Sequence, residues 1–244
     1  MIVVDINCDV GEGIGNEAQL MPYISSCNIA CGGHAGTINT IDATIQLAQQ
    51  HTVKIGAHPS FPDAANFGRK ILEISPNDLQ KSIEEQLNLM NERLAVSGAK
   101  LHHVKAHGAL YNLSAIDQVT ANVLVKAIKN TTEEVFLYVP CNSVIEKIAL
   151  QNNIKIIYEA FADRNYNDDL SLVSRSAENA LIVDKTAAFK HVYAMVTDQK
   201  VTTVSGKEVP IKASTFCVHG DHPKAIELVK NVVQLLEEHH IKVY

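Results

Sequence analysis

The chain has 244 residues, 46% of them hydrophobic and 20% charged, which excludes a disordered chain and suffices for one large α/β domain or two small ones. Its 21 basic and 27 acidic residues leave a formal charge of −6. With no basic run and few aromatics, this argues against nucleic acid or an anionic membrane as the main partner.

Short β-branched runs alternate with stretches at helical spacing. Strands are predicted at Ile2–Ile6, Ser26–Ala30, Val53–Ala57, Leu101–Lys105, Val135–Val139, Ile154–Glu159 and Thr215–Val218. Between them, Ile38, Ile41, Ile45 and Ala48 repeat at three to four residues, which marks a helix face. The next helix has the full set of terminal signals: Ser75 as cap, Pro76 at its first position, Asp78 in its first turn and Gly98 at its stop. Its apolar stripe is Leu79, Ile83, Leu87, Met90 and Leu94. Further helices are expected from Ser114 to about Lys129, around Val144–Ala149, from about Ala180 to Val196, and from Pro223 to about Glu238. The segment Val201–Ile211, turning at Ser205-Gly206, reads as a small β-hairpin.

Some seven strands separated by helices imply a parallel sheet with right-handed crossovers. No compositional break divides residues 1–244, so a single domain is expected, with the hairpin near 201–211 as an excursion. A (β/α) barrel with about seven parallel strands is favoured over an open doubly wound sheet. The reason is that polar clusters follow nearly every strand, whereas an open sheet concentrates them at one switch point.

Five cysteines (Cys8, Cys27, Cys31, Cys141, Cys217) are scattered singly and odd in number. They read as reduced thiols in a cytoplasmic protein, and Cys27 with Cys31 as small buried hydrophobes rather than half a zinc site. The start Met1-Ile-Val-Val-Asp lacks the basic region of a signal peptide, and no apolar run reaches membrane-spanning length.

The polar clusters carry the chemistry. If all lie on one rim, they bring together Asp5, Asn7, Asp9, Glu12, His34, His58, Lys105, His107, Glu159, Asp163, Arg164, His219 and Asp221. Lys105 ends a strand where a buried lysine is costly unless paired, and His107 follows two residues on, facing the same side. Asp5 lies within the first strand, where binding neighbouring backbone is an equal alternative. Asp9 and Glu12 flank glycines and also suit a tight turn. His102 and His103, without glycine context, are expected at the surface with His51, His191, His239 and His240. Asp9, His34 and His58 are ligand types for a divalent metal, but no HxH or HExxH spacing is present. A Walker A loop, a dinucleotide fingerprint and a G-x-S-x-G elbow are likewise missing. Acid, base and cation remain, which suits hydrolysis of a small polar substrate.

As a set, DINCDVGEGIG, SCNIACGGHAG, GAHPSFPD with FGRK, HHVKAHGALYN, EAFADRNY with LVSR, and FCVHGDHPKA resemble the LamB/YcsF family, in order from about Asp5 to Pro223. The resemblance implies a barrel related to the glycoside hydrolase and polysaccharide deacetylase barrels. It implies the A component of a 5-oxoprolinase: ATP-dependent opening of the 5-oxoproline lactam to L-glutamate, with ATP as co-substrate, Mg or another divalent metal as a possible cofactor, and companion B and C subunits as partners. A homo-oligomer is compatible with the sequence. On this reading Lys105, His107, Asp9, Glu12, His219 and Asp221 are the catalytic candidates. Asn7, His34, His58, Asn112, Glu159, Asp163 and Arg164 are the substrate-binding ones, and the metal ligands are left open. Lys105 and Arg164 would stabilise phosphate or oxyanion, His107 or His219 would handle the proton, and Asp9 with Glu12 would orient water or Mg²⁺. Replacing Lys105 by Met is expected to abolish activity without unfolding the chain. The alternatives are a stand-alone metal-dependent amide or N-acetyl hydrolase and a non-catalytic 5-oxoproline-binding regulatory subunit.

The chain departs from the family pattern at three positions. Ala106 stands where proline is usual, Thr37 where aspartate is usual after HAG, and Leu170 where glycine is common. The second removes a carboxylate near His34.

Overall fold

In the computed structural model, which describes residues 2–222 and 224–244, the chain opens with strand β1 (Ile2–Val10). A short helix α1 (Glu17–Leu20) leads to β2 (Ser26–Ala30), α2 (Ile38–Gln50) and β3 (Lys54–His58). Helix α3 (Pro76–Ser97) begins as its sequence dictates: the Ser75 hydroxyl accepts from the Asp78 N–H, and Gly98 closes it in a left-handed conformation at φ 68°. The stripe Leu79, Ile83, Leu87, Met90 and Leu94 is buried along one face. Each such side chain contributes about 1.5–3 kcal/mol by leaving water.

After α3 come β4 (His103–Val104), α4 (Gly108–Ser114), α5 (Gln118–Thr131), β5 (Phe136–Val139), α6 (Val144–Gln151) and β6 (Lys155–Phe161). Helix α7 (Lys185–Thr197), the antiparallel pair β7 (Lys200–Thr202) and β8 (Glu208–Pro210), β9 (Thr215–Val218), α8 (Ala225–Glu238) and β10 (Ile241–Val243) complete the chain.

Strands β1, β2, β3, β4, β5, β6 and β9 pair in that order, all parallel, and β9 pairs again with β1, closing a seven-stranded barrel. The expected barrel is therefore present, and the hairpin stands apart from it as a two-stranded ribbon. Strand β10 adds in parallel to Ile2–Val4. No described helix is long and apolar enough to cross a membrane.

Several boundaries differ from expectation. The helix predicted to open at Ser114 begins instead at Gln118, where the Asp117 carboxylate caps α5 by accepting from the Thr120 N–H, and Ser114 ends α4, a short helix that was not expected. The helix expected from Ala180 begins at Lys185, where Asp184 accepts from the Ala187 N–H. Strand β4 is shorter than predicted, and β1 is longer. Pro223, expected to open the last helix, lies outside the described residues.

The three departures from the family pattern have local accounts. Thr37 caps α2 in a reciprocal pair with Thr40, doing the work an aspartate would do there. Leu170 holds φ 66°, the left-handed region that favours glycine. Ala106 is buried beside the pocket described below.

The barrel interior is polar. Residues two apart in a strand share a face, so Asp5, Asn7 and Asp9 of β1 point together and meet side chains from across the barrel. At the base, Asp5 Oδ1 accepts from Ser26 Oγ and Thr215 Oγ1, both at 2.6 Å, while Lys54 Nζ lies 3.3 Å from Oδ2. These contacts give Asp5 a structural role.

His103, expected at the surface, is instead wholly buried, stacked on Tyr138 at 3.9 Å between ring centroids, with Nε2 2.7 Å from Asn28 Oδ1. Burial depresses its pKa well below the usual imidazole value. Gly56 makes room for it: a Cβ on Gly56 would collide with the His103 ring. His191 is half-buried rather than exposed, whereas His51, His239 and His240 are exposed as expected. All five cysteines are buried and unpaired.

Candidate active site

The C-terminal ends of the parallel strands deliver the polar clusters to one rim of the barrel, as the fold requires. At the centre stands Lys105, beyond the end of β4 and 2% exposed. Its Nζ lies 2.8 Å from Asp9 Oδ1, 3.0 Å from Glu159 Oε1, 3.3 Å from Asn7 Oδ1 and 2.9 Å from Cys217 Sγ. Burial opposes the ammonium charge, but Asp9, the Cys217 sulfur and Glu159 together hold its pKa well above the ordinary lysine value. Asp9 follows the same balance: burial opposes ionisation, and the charges of His58 and Lys105 outweigh it, keeping the carboxyl well below its usual range. Asn7 donates to Glu159 and Thr215, and Asn28 donates to Asn7 and Asp9. The Glu159 carboxyl is raised by burial despite Lys105.

Beside this network lies a cluster of Glu12, His34, His58 and His107, all buried, whose potential ligand atoms fall within 4.8 Å of one another. The rings of His34 and His107 stack with centroids 3.6 Å apart. Glu12 Oε1 is 3.1 Å from His34 Nε2 and 3.4 Å from His107 Nδ1. His107 Nδ1 lies 3.0 Å from His58 Nε2, which in turn is 3.4 Å from Asp9 Oδ2. Burial, then the neighbouring Asp9 and Asp221 carboxylates, push Glu12 well above the usual carboxyl range. Burial, then the charge of His58, lowers His34 to about 3 and takes His107 well below its ordinary value. His34 Nδ1 is buried without a hydrogen-bond partner. Three imidazoles and a carboxylate are a donor set that can hold a metal ion.

Above both networks opens a cavity of about 270 Å³. Asp9, His58, Lys105 and His107 contribute to its wall, with Tyr111 and Phe161 as aromatic surface. At its mouth Arg69 pairs with Asp221 through Nη2, and Arg175 Nη1 lies 3.8 Å from the same carboxylate. His219 also faces the cavity. Its Nδ1 is 3.0 Å from Asp163 Oδ1, and its backbone N–H donates to Asp163 Oδ2 at 2.9 Å. Burial opposes the Asp163 charge, but the His219 charge and these two hydrogen bonds prevail and lower its carboxyl to about 2. A buried carboxylate holding a histidine by Nδ1 fixes the ring so that Nε2 is free for proton transfer.

The structure thus brings Asn7, Asp9, Lys105 and Glu159 into one network, Glu12, His34, His58 and His107 into a second, and Asp163 with His219 into a third. Arg164 lines the cavity, but its guanidinium donates to the carbonyls of Val173 (Nη2, 2.6 Å) and Ala180 (Nε, 3.4 Å), pinning the long loop after β6. Burial and the nearby Arg175 charge lower its pKa to about 10. Asn112 lines the cavity as an exposed side chain on α4. Arg69 and Arg175 were not singled out from sequence, although both lie in the quoted FGRK and LVSR segments. Asn28, His103 and Cys217 were missed because they sit inside strands, where residue type gives no sign of which strand they will face.

The family model described as the LamB/YcsF family matches residues 4–244. The chain is 40% identical over 248 residues to the A component of 5-oxoprolinase from Clostridium beijerinckii, covering 100% of this chain and 97% of the relative. It is 41% identical over 248 residues to the corresponding 5-oxoprolinase component of Campylobacter jejuni, with the same coverage. Among solved structures, the lactam utilization protein from Thermus thermophilus superposes with a TM-score of 0.93 at 34% identity, covering 99% of both chains. On these full-length matches, the chain belongs to the LamB/YcsF family.

Proposed function

We propose that this chain is the A component of an ATP-dependent 5-oxoprolinase, and that its cavity receives 5-oxoproline or an activated form of it. The observation that carries the reading is the cavity itself, in which a cationic mouth stands over a floor of acid–base groups. The substrate presents a carboxylate and a cyclic amide. Arg69 and Arg175, already converging on the Asp221 carboxylate, are placed to take the substrate carboxylate, while the lactam lies toward Lys105 and His107. A volume of about 270 Å³ is at the small end for ligand cavities, and suits an amino-acid-sized ring better than a nucleotide. With no P-loop in the sequence, ATP is assigned to an interface with the companion B and C subunits.

The chemistry fits such a site. Transfer of the terminal phosphoryl group of ATP to the amide oxygen gives ADP and makes the ring carbon electrophilic. Addition of water there, cleavage of the C–N bond with a proton delivered to nitrogen, and release of phosphate yield L-glutamate. The Lys105 ammonium stabilises negative charge developing at the carbon's oxygen. His219, oriented by Asp163, is the group to carry the proton to the leaving nitrogen. A divalent ion held by Glu12, His34, His58 and His107 would supply Lewis acidity and a more acidic water.

The deciding experiment measures glutamate released from 5-oxoproline by the purified chain, with and without ATP and the two companion subunits. Release that needs all components, and is lost in His219→Gln, supports the reading. The histidine–glutamate cluster favours one second reading, an amide hydrolase acting alone with a metal. Hydrolysis of the lactam without ATP or companions would establish it instead.

A further inference from the structure

The imidazoles of His58 and His107 have their proton positions fixed by backbone. His58 Nδ1 lies 2.8 Å from the carbonyl oxygen of Lys105, and His107 Nε2 lies 2.9 Å from the carbonyl oxygen of Phe67. A carbonyl only accepts, so each of these nitrogens carries its ring's hydrogen. In the neutral rings the other nitrogens, His58 Nε2 and His107 Nδ1, are therefore bare lone pairs, and they face each other at 3.0 Å. Carboxylate oxygens approach the same two atoms: Asp9 Oδ2 at 3.4 Å from His58 Nε2 and Glu12 Oε1 at 3.4 Å from His107 Nδ1. With both rings neutral and both carboxyls ionised, four acceptors converge with no hydrogen among them, on side chains almost wholly removed from water. Such an arrangement is repulsive unless a positive charge sits between them.

We propose that Glu12, His34, His58 and His107 bind one divalent transition-metal ion of the zinc type, with Asp9 at the edge of the site. Three further features agree. Ligands of a tetrahedral site with bonds of about 2.0–2.1 Å stand roughly 3.3–3.4 Å apart, and the Glu12–His34, Glu12–His107 and His58–His107 pairs are separated by 3.1, 3.4 and 3.0 Å. A metal-ligating histidine commonly donates its second ring N–H to a carbonyl or carboxylate, fixing the tautomer, and the carbonyls of Lys105 and Phe67 do this for His58 and His107. The charge balance agrees with a dication: when ionised, the buried carboxylates of Asp9, Glu12 and Glu159 carry three negative charges, against the one wholly buried ammonium of Lys105. Three imidazole nitrogens select zinc, cobalt or nickel over magnesium, which prefers oxygen ligands and retains its waters. Any Mg²⁺ used by the reaction therefore travels with ATP rather than in this cluster.

The test needs neither ATP nor 5-oxoproline nor companion subunits, so it is separate from the functional reading. The full chain, stripped with a chelator and dialysed, is titrated with Zn²⁺ by calorimetry and with Co²⁺ by visible absorption. One equivalent is expected to bind, with cobalt bands of a low-symmetry nitrogen-ligated ion and a Tm rise of about 5 °C once zinc exceeds its Kd a hundredfold. His58→Gln, His107→Gln and Glu12→Gln should weaken zinc binding at least tenfold, while the exposed His51→Gln should bind like the parent. Circular dichroism confirms that each variant is folded, and Glu12→Gln, in the turn after β1, guards against the two histidine variants failing to fold. The proposal is overturned if the stripped, folded parent takes up no zinc, if binding survives in all three ligand variants, or if equimolar Mg²⁺ displaces the zinc. In the first case a shared proton between His58 and His107 would be the remaining source of positive charge.

Discussion

The Lys105 ammonium lies 2.8 Å from Asp9 Oδ1, and both side chains are almost wholly removed from solvent. This pair joins the sheet's polar interior to the cavity, because Asp9 also faces His58 and Lys105 also faces Glu159.

Lys105→Met leaves two buried carboxylates without their cation. Breaking a buried pair in this way costs about 3–5 kcal/mol, so the variant expected to lose activity without unfolding should also be measurably less stable. Urea unfolding should show that loss, and the double variant Lys105→Met/Glu159→Gln should recover a substantial part of it. Equal stability of single and double variants would refute the coupling.

Arg69 is expected to act in binding more than in turnover. A hydrogen bond to a charged group contributes about 1.5–3 kcal/mol, so Arg69→Gln should raise KM for 5-oxoproline by roughly 10- to 150-fold with a smaller change in kcat. Steady-state kinetics of the reconstituted complex check this. A KM like the parent's removes Arg69 from the carboxylate site.

The Asp163–His219 pair makes stability depend on acid pH. The folded-state pKa of Asp163, about 2, lies below the value near 3.9 of an unfolded aspartate. The pair's contribution is therefore complete above about pH 4 and declines as pH falls toward 2. A shift of that size corresponds to about 2–3 kcal/mol. Asp163→Asn should be less stable than the parent at pH 6, and the gap should narrow as acid unfolding is followed below pH 4. A gap independent of pH would show that the lost interaction is not ionic.

Gly56→Ala drives a methyl group into the His103 ring, which is stacked on Tyr138 and bonded to Asn28. Overpacking of this kind costs about 1–3 kcal/mol. A lower Tm in Gly56→Ala, relieved in Gly56→Ala/His103→Ala, would confirm the close approach; an unchanged Tm would contradict it.

Local signals in the sequence were reliable where they needed no partner. Ser75, Pro76 and Gly98 bound α3 as their chemistry requires, and the apolar stripe between them is its buried face. Helix α4 was missed because it is only seven residues long and starts at a glycine within a polar cluster, and α5 was started early because Ser114 and Asp117 are both good caps. His103 was misplaced for a different reason. A histidine in a short strand has no local marker of burial; Gly56, on the neighbouring strand, is what admits it.

The order of polar clusters after apolar runs was determined by the sequence alone. It implied parallel strands with their chemistry on one rim, because side chains that would be costly inside a sheet are tolerated at strand ends. How those side chains divide was decided only by the closed barrel. Closure sets Asp9 against both Lys105 and His58, though they are 96 and 49 positions away in sequence. It also turns Nε2 of His58 and Nδ1 of His107 toward each other at 3.0 Å, with the carbonyls of Lys105 and Phe67 against their other ring nitrogens. Pairings at that sequence distance depend on strand register and barrel curvature, which no local propensity encodes.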